Sequence, residues 1–118
     1  MINICSRIIY VVNPNNNNES KVIRSPIDNI SSFQPSFTNG ERTRSYLKIQ
    51  DGCNYNCSFC TIPLARGRSR SDTIKQTVQI AQNIADSGAK EIVLTGINIG
   101  DFGSVKDENF LQLIMTLD

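Results

Sequence analysis

Regular hydrophobic patterns begin near Ser45. From there the chain alternates with a period of two, which predicts a strand ending at Asp51-Gly52; its apolar positions are Leu47 and Ile49, and its polar positions are Tyr46, Lys48 and Gln50. Gln50 and Asp51 are interpreted as structural, because an Asp-Gly pair is a typical turn sequence that would lead the strand into the following loop.

The next pattern has helical spacing. Ser71 or Asp72 is expected to cap this helix and Gly88 to end it; the apolar positions are Ile74, Val78, Ala81 and Ala85, flanked by Ile80 and Ile84. Residues 92–94 then form an unbroken apolar run before Thr95-Gly96, as in a parallel strand that is covered on both faces. Strand, helix and strand make a βαβ unit, so the predicted fold class is α/β.

The two ends of the chain have weaker signals. Residues 110–117 have apolar spacing typical of a further helix, which we expect to be cut by the end of the chain. Residues 1–40 contain three prolines and an asparagine run at 15–18, and only residues 8–12 favour a strand. This turn-rich composition is typical of a linker.

Composition and charge exclude several classes of protein and of functional site. The 118 residues fit one modest domain, and 12 basic against 11 acidic residues leave a net charge of +1. Residues 41–70, however, hold six basic and two acidic residues. Neither a membrane span nor a signal peptide is evident, so we expect a soluble cytoplasmic protein. With no histidine, the chain has neither Ser/His/Asp or Cys/His machinery nor a histidine-ligated metal site.

Three of the four cysteines lie directly after the first predicted strand. Cys53, Cys57 and Cys60 have the spacing C-x3-C-x2-C, at the strand end where α/β proteins place their chemistry. Three thiolates of one loop can bind a [4Fe-4S] cluster and leave one iron without a protein ligand. A zinc site, a redox pair of Cys57 and Cys60, and three incidental cysteines remain alternatives. Cys5 is far from this loop and is interpreted as a small apolar residue or an adventitious thiol.

The cysteine spacing, with Phe59 immediately before the last cysteine, resembles the signature of the radical S-adenosylmethionine (SAM) superfamily. The string RTRSYLKIQDGCNYNCSFCTIPLARGRSRS at residues 42–71 resembles one branch, the methylthiotransferases, and GAKEIVLTGINIGDFG at residues 88–103 continues the match. Within that branch, the sequence is most similar to the tRNA enzymes that act on N6-threonylcarbamoyladenosine beside the anticodon.

The resemblance implies cofactors and site residues. Cys53, Cys57 and Cys60 would ligate a [4Fe-4S] cluster, and the amino and carboxylate groups of SAM would chelate its fourth iron. Phe59 would lie near the adenine of SAM. Thr95, Gly96 and Asn98 occupy the position of the superfamily's glycine-rich contact with the SAM amino group. A low-potential electron donor and tRNA would be the partners; no catalytic residue is assigned.

Alternate arginines follow the cysteine loop. If this stretch is extended, Arg66, Arg68 and Arg70 would form a stripe on one side. Arginine binds both phosphate and carboxylate, so we expect Arg66 to contact the SAM carboxylate and Arg68 or Arg70 to contact RNA phosphate. A solvated basic loop is the alternative.

The resemblance also implies the domain organisation. Residues 1–40 would be a linker or the end of an N-terminal methylthiotransferase domain, and residues 41–118 the opening βαβ portion of a partial (β/α)6 radical SAM barrel. We therefore expect a fragment that does not turn over SAM alone. The alternative functions are methylthiotransfer to another tRNA adenosine or to a ribosomal protein, and a non-catalytic iron–sulfur or zinc module.

Overall fold

The computed structural model describes residues 6–11, 21–27, 30–38 and 43–118. Its first two strands, β1 (Ser6–Val11) and β2 (Lys21–Pro26), pair antiparallel with Ser6 opposite Pro26. The strand predicted at residues 8–12 is confirmed as far as Val11, whereas Val12, the asparagine run and Cys5 lie outside the described residues. The second strand was not predicted, because its end at a proline resembles linker sequence.

A three-stranded sheet holds the predicted βαβ unit. Its order is β3 (Ser36–Phe37), β4 (Arg44–Lys48) and β7 (Glu91–Thr95); β3 is antiparallel to β4, and β7 is parallel to it. The parallel pairing of β4 with β7 confirms the βαβ prediction. Where β4 and β7 begin, the Arg44 guanidinium donates to the Glu91 carboxylate at 2.7 Å, and this hydrogen bond raises the pKa of Arg44. The short strand β3 was not predicted.

The first predicted strand changes partners at Ile49. The Ile49 N–H still donates to Thr95 at 2.9 Å, but the next two residues form β5 (Gln50–Asp51), which pairs antiparallel with β6 (Arg70–Ser71). Both Ile49 and Gln50 are buried. The alternating pattern that grouped Gln50 with the outward polar positions is therefore wrong at this residue, because the change of sheet encloses both of its faces.

Helices α1 (Ile62–Arg66) and α2 (Ile74–Asp86) follow the cysteine loop. The N-cap of α2 is Thr73, whose hydroxyl accepts from the Gln76 N–H; the predicted caps Ser71 and Asp72 lie before it. Thr77, Ala81 and Ile84 are buried, and Ala85 is exposed, contrary to the predicted apolar face. Thr77 can be buried because its hydroxyl donates to the Thr73 carbonyl.

The core lies between the sheet and helices α2 and α3 (Phe110–Leu117). Helix α3 confirms the last predicted element, and Asn109 caps its N-terminus in a capping box with Gln112. Strand β7 is only half-buried: Ile92 and Leu94 pack against the core, but the expectation of two covered faces is not met there. No helix in the described part of the chain has the length and apolarity that a bilayer span requires. The buried apolar residues of this core are Leu47, Ile49, Ala81, Ile84, Phe102 and Leu113.

Candidate cofactor site

The cysteine loop, residues 53–60, is joined at its start to the arginine loop, residues 66–70. Gly52 has φ +74°, and a Cβ atom there would lie 2.0 Å from the Arg68 carbonyl oxygen, so only glycine fits. The next N–H, that of Cys53, donates to the Gly67 carbonyl at 3.1 Å. The first cysteine is therefore fixed by backbone contacts between the two loops.

The three thiols differ in exposure. Cys53 and Cys60 are half-buried, Cys57 is exposed, and all three are free cysteines. The Cys60 N–H donates to the Cys57 carbonyl at 3.1 Å, which closes a turn with a cysteine at each end. The three predicted ligands therefore lie on one short loop, in which a backbone turn links the last two.

The donor set fits a soft metal centre, since three free thiols occur within one short loop and none of them is buried. Among the described residues, however, no three cysteine, aspartate or glutamate side chains are grouped closely enough to hold one metal ion. The residues and the loop are present, but the sulfur atoms would have to converge for a cluster to bind.

Gln50 links the loops beneath the cysteines. Its side chain is fully buried, and its Nε2 donates to the carbonyls of Asp51 at 3.1 Å and Gly52 at 2.8 Å and to the Ser69 hydroxyl at 2.9 Å. Its Oε1 accepts from the Asn98 N–H at 2.7 Å. One side chain therefore contacts the residue that precedes the cysteine loop, the arginine loop and the loop after β7.

The residues predicted to contact the SAM amino group lie next to this glutamine. The Thr95 hydroxyl donates to the Leu47 carbonyl at 3.3 Å. A Cβ atom on Gly96 would lie 3.1 Å from both Cβ and Oε1 of Gln50, so close packing also favours glycine here. The structure places Gly96 and Asn98 at the same strand end as the cysteine loop.

Asp51 is the anionic centre of the arginine loop. Its carboxylate is 9% exposed, accepts from Gly52 N–H at 2.9 Å and pairs with Arg70 at 3.1 Å, Lys48 at 3.5 Å and Arg66 at 3.7 Å. Together, Gln50, Asp51, Ser69 and Arg70 form a buried polar network. The structural interpretation of Gln50 and Asp51 is consistent with these contacts.

The three alternate arginines do not form one stripe. Arg66 ends helix α1, and Gly67 follows with φ +77°, so the stretch is not continuously extended. The Arg70 side chain is only 13% exposed and donates to the carbonyls of Arg66 and Arg68 as well as to Asp51. Arg66 and Arg68 are exposed. The helix and the positive φ angle thus turn Arg70 inward.

A hollow of about 310 Å³ opens beside the first cysteine, and Arg68 lines it. Arg66 instead lines a separate polar cavity with Asp51 and Lys48. Phe59 is fully exposed at the tip of the cysteine loop. The hollow is lined by Cys53, Asn54, Asn56, Pro63, Leu64, Gly67 and Arg68.

Two polar side chains of the site were not singled out from the sequence. Asn54 accepts from the Ser69 N–H at 3.0 Å, and Ser69 is itself buried against Gln50. The sequence offers no periodic signal for either residue. The turn-forming Asp-Gly pair was the only available indication that this strand end is built around buried polar groups.

Comparison with known proteins gives a family and several relatives. The model of the radical SAM superfamily matches residues 47–110, more than half of the chain. The threonylcarbamoyladenosine tRNA methylthiotransferase MtaB of Bacillus subtilis is 45% identical over 106 residues, covering 80% of this chain and 23% of that protein. MtaB of Aquifex aeolicus is 42% identical over 77 residues, covering 65% and 19%.

A relative with a different named substrate also matches. The ribosomal protein uS12 methylthiotransferase RimO of Roseiflexus is 49% identical over 59 residues, covering 50% of this chain and 12% of that protein. The chain spans less than a quarter of the length of each of these three relatives. The similarity to methylthiotransferases inferred from the motifs is confirmed, and the chain belongs to the radical SAM superfamily.

Proposed function

We propose that this chain is the cluster- and SAM-binding opening of a radical SAM methylthiotransferase that acts on N6-threonylcarbamoyladenosine in tRNA. The observation that carries the proposal is the C-x3-C-x2-C loop after β5, in a segment 45% identical to a relative named for that activity. Residues 41–118 would form the first part of a partial (β/α)6 barrel, and residues 1–40 the segment that precedes it.

Three cysteines have the number and chemistry that an open cluster needs. Cys53, Cys57 and Cys60 would hold three irons of a [4Fe-4S] cluster, and the amino and carboxylate groups of SAM would occupy the fourth. When bound, the cluster and SAM supply the reducing electron and the radical chemistry needed to attack an unactivated C–H bond.

The chain's own residues would hold and orient the cofactors. The hydrogen bond from Cys53 to Gly67 fixes the start of the ligand loop, and Phe59 is free to pack on the adenine because no described part of the chain covers its ring. Gly96 lets the backbone after β7 approach the amino group of SAM, with Thr95 and Asn98 beside it.

The arginines would divide their roles according to their exposure. Arg66 and Arg68 hold exposed guanidinium groups that can reach the SAM carboxylate or RNA phosphate. Arg68 is the stronger candidate for the SAM carboxylate, because it lines the hollow beside Cys53. Arg70 would act on RNA only indirectly, since its donors are used by Asp51 and two carbonyl groups.

A second candidate substrate is a ribosomal protein, which the match to the Roseiflexus relative favours. Both activities would take place in the cytoplasm with a low-potential electron donor. A chimera tests the first activity: residues 41–118 would replace the aligned segment of the Bacillus subtilis relative. We expect it to restore the 2-methylthio modification of threonylcarbamoyladenosine in tRNA of a strain lacking that enzyme; a chimera that folds and assembles its cluster without restoring the modification would contradict the first candidate.

The cluster is tested by anaerobic reconstitution of the 118-residue chain with iron and sulfide. We expect about four irons per chain, complete loss of uptake in Cys57→Ala, and normal uptake in the matched control Cys5→Ala. Tight uptake of one zinc without a cluster would contradict the proposal and favour the zinc module.

A further inference from the structure

The Gln50 side chain is the direct link between two loops that the proposed function assigns to different cofactor groups. It is fully buried, and its amide spans from the Gly52 carbonyl to the Asn98 N–H. Cys53 follows Gly52, and Gly96 precedes this asparagine by two residues. Contacts of one buried side chain therefore reach both the peptide group that leads into the cysteine loop and the loop after β7.

The orientation of this amide is fixed by its partners. The Asn98 N–H can only donate, so it must face Oε1, and the carbonyls of Asp51 and Gly52 can only accept, so they must face Nε2. A flipped amide would place Nε2 against the Asn98 N–H, donor against donor, and Oε1 against the two carbonyls, acceptor against acceptor. The side chain consequently has a single orientation that satisfies both loops.

The peptide group before the first cysteine is held on both of its sides. Its carbonyl, that of Gly52, accepts from Gln50 at 2.8 Å, and its N–H, that of Cys53, donates to Gly67 at 3.1 Å. A displacement of Cys53 must therefore move this peptide group against the Gln50 amide. The peptide group and the Gln50 amide are in direct contact, so no other side chain has to move for the displacement to reach Gln50.

The loop after β7 contacts the same glutamine at a second point. A Cβ atom on Gly96 would meet Gln50 Oε1 and Cβ at 3.1 Å and its carbonyl oxygen at 3.2 Å. The glycine thus packs directly on the side chain that accepts from Asn98. A shift of Gln50 would therefore act on the loop after β7 in two ways, through the packing contact with Gly96 and through the hydrogen bond with Asn98.

We propose that Gln50 is a positioning residue that couples the cysteine loop to the Gly96–Asn98 loop, so that loading the cysteines orders the backbone at Asn98. This inference rests on the proposed function, because the group loaded is the cluster. It assigns to Gln50 the alignment of the two loops that together would hold SAM.

Hydrogen exchange of the full 118-residue chain, before and after reconstitution with iron and sulfide, tests the coupling. In the wild-type chain we expect the Asn98 amide to exchange at least about fivefold more slowly after the cluster assembles, the lower end of typical coupling between two sites. Fragments covering residues 96–102 report this amide. A purely structural glutamine would give the same exchange rate in both states.

Variants separate the two halves of the amide. As an ionised carboxylate, Gln50→Glu can still accept from Asn98 but cannot donate to Gly52, so at equal iron content it should lose the change in exchange. Ser69→Ala is the matched control, because it removes only the contact with the arginine loop and should keep the change. If Gln50→Glu does not fold, Gly96→Ala perturbs the same contact from the other loop and should reduce the change.

The outcomes distinguish the inference from the proposed function. If the wild-type chain takes up no cluster, the proposed function fails and the inference falls with it. If the cluster assembles and Asn98 exchange is unchanged, or changes equally in the folded Gln50 and Gly96 variants, the coupling is overturned and the proposed function stands.

Discussion

The cysteine loop and the buried polar network adjoin in sequence and have opposite properties. Gln50, Asp51 and Ser69 are at most 6% exposed, and each has hydrogen-bond partners on other segments. Cys57 and Phe59 are exposed, a few residues further along the chain. Buried polar groups with complete pairing fix the backbone, whereas exposed thiols and an exposed ring stay free for a ligand. Substitutions in the two regions should therefore affect different measurements.

The largest loss of stability is expected where the two regions join. Gly52→Ala should lower the free energy of unfolding by about 3 kcal/mol or more, because a strained φ adds to a 2.0 Å clash with a backbone carbonyl. Gly88→Ala is the matched control, since Gly88 also has a positive φ but an added Cβ atom would meet nothing within 4 Å, and it should cost about 1 kcal/mol. Equal losses in urea denaturation would contradict the packing at Gly52.

In the arginine loop, a smaller difference in stability is expected between two arginine-to-alanine variants. Arg70→Ala should cost about 2 kcal/mol, because it removes the nearest cation from a carboxylate that is 9% exposed. Arg66→Ala should change stability by less than about 0.5 kcal/mol, since its guanidinium is 55% exposed and 3.7 Å from Asp51. Urea denaturation of both variants checks this order, and a reversed order would contradict the inward placement of Arg70.

The sequence was sufficient for the elements whose patterns are local. The parallel pair β4 and β7, helix α2 between them and helix α3 all follow from periodicity, and the cysteine loop follows from spacing. Strands β2 and β3 were missed because their partners are set by tertiary pairing, while their composition is that of a linker. The predicted fold is therefore most accurate where each segment carries its own signal.

The buried polar network could not be predicted in the same way. Gln50 stands in an alternating strand where a polar residue normally faces solvent, and only the change from β7 to β6 as partner encloses it. The arginine stripe failed because it assumed an extended backbone that α1 and Gly67 interrupt. Both errors concern side-chain direction, which depends on contacts between distant segments.

A substitution in the cysteine loop should leave stability unchanged and affect cofactor binding. Phe59→Ala should alter the free energy of unfolding by less than about 0.5 kcal/mol, because the ring is fully exposed. In the reconstituted chain it should keep its iron and weaken SAM binding through loss of contact with the adenine. Phe37→Ala is the control for SAM binding, because this phenylalanine of strand β3, 44% exposed, should leave SAM binding unchanged. A clear loss of stability in Phe59→Ala would show that the tip of the loop packs on the chain.

The smallest effect is expected at the exposed ion pair that joins the starts of β4 and β7. Arg44 donates to Glu91 at 2.7 Å, but both side chains are more than half exposed, so solvent and salt screen the pair. The raised pKa of Arg44 means that the pair favours the folded state while the arginine is charged, and that this contribution is lost only as the pH rises through the pKa of arginine. Glu91→Gln should therefore leave the urea midpoint nearly unchanged at neutral pH, and any difference should vanish in 1 M salt, where the screening length is about 3 Å. A large, salt-resistant loss would contradict an exposed pair and would place this strand end in a buried environment.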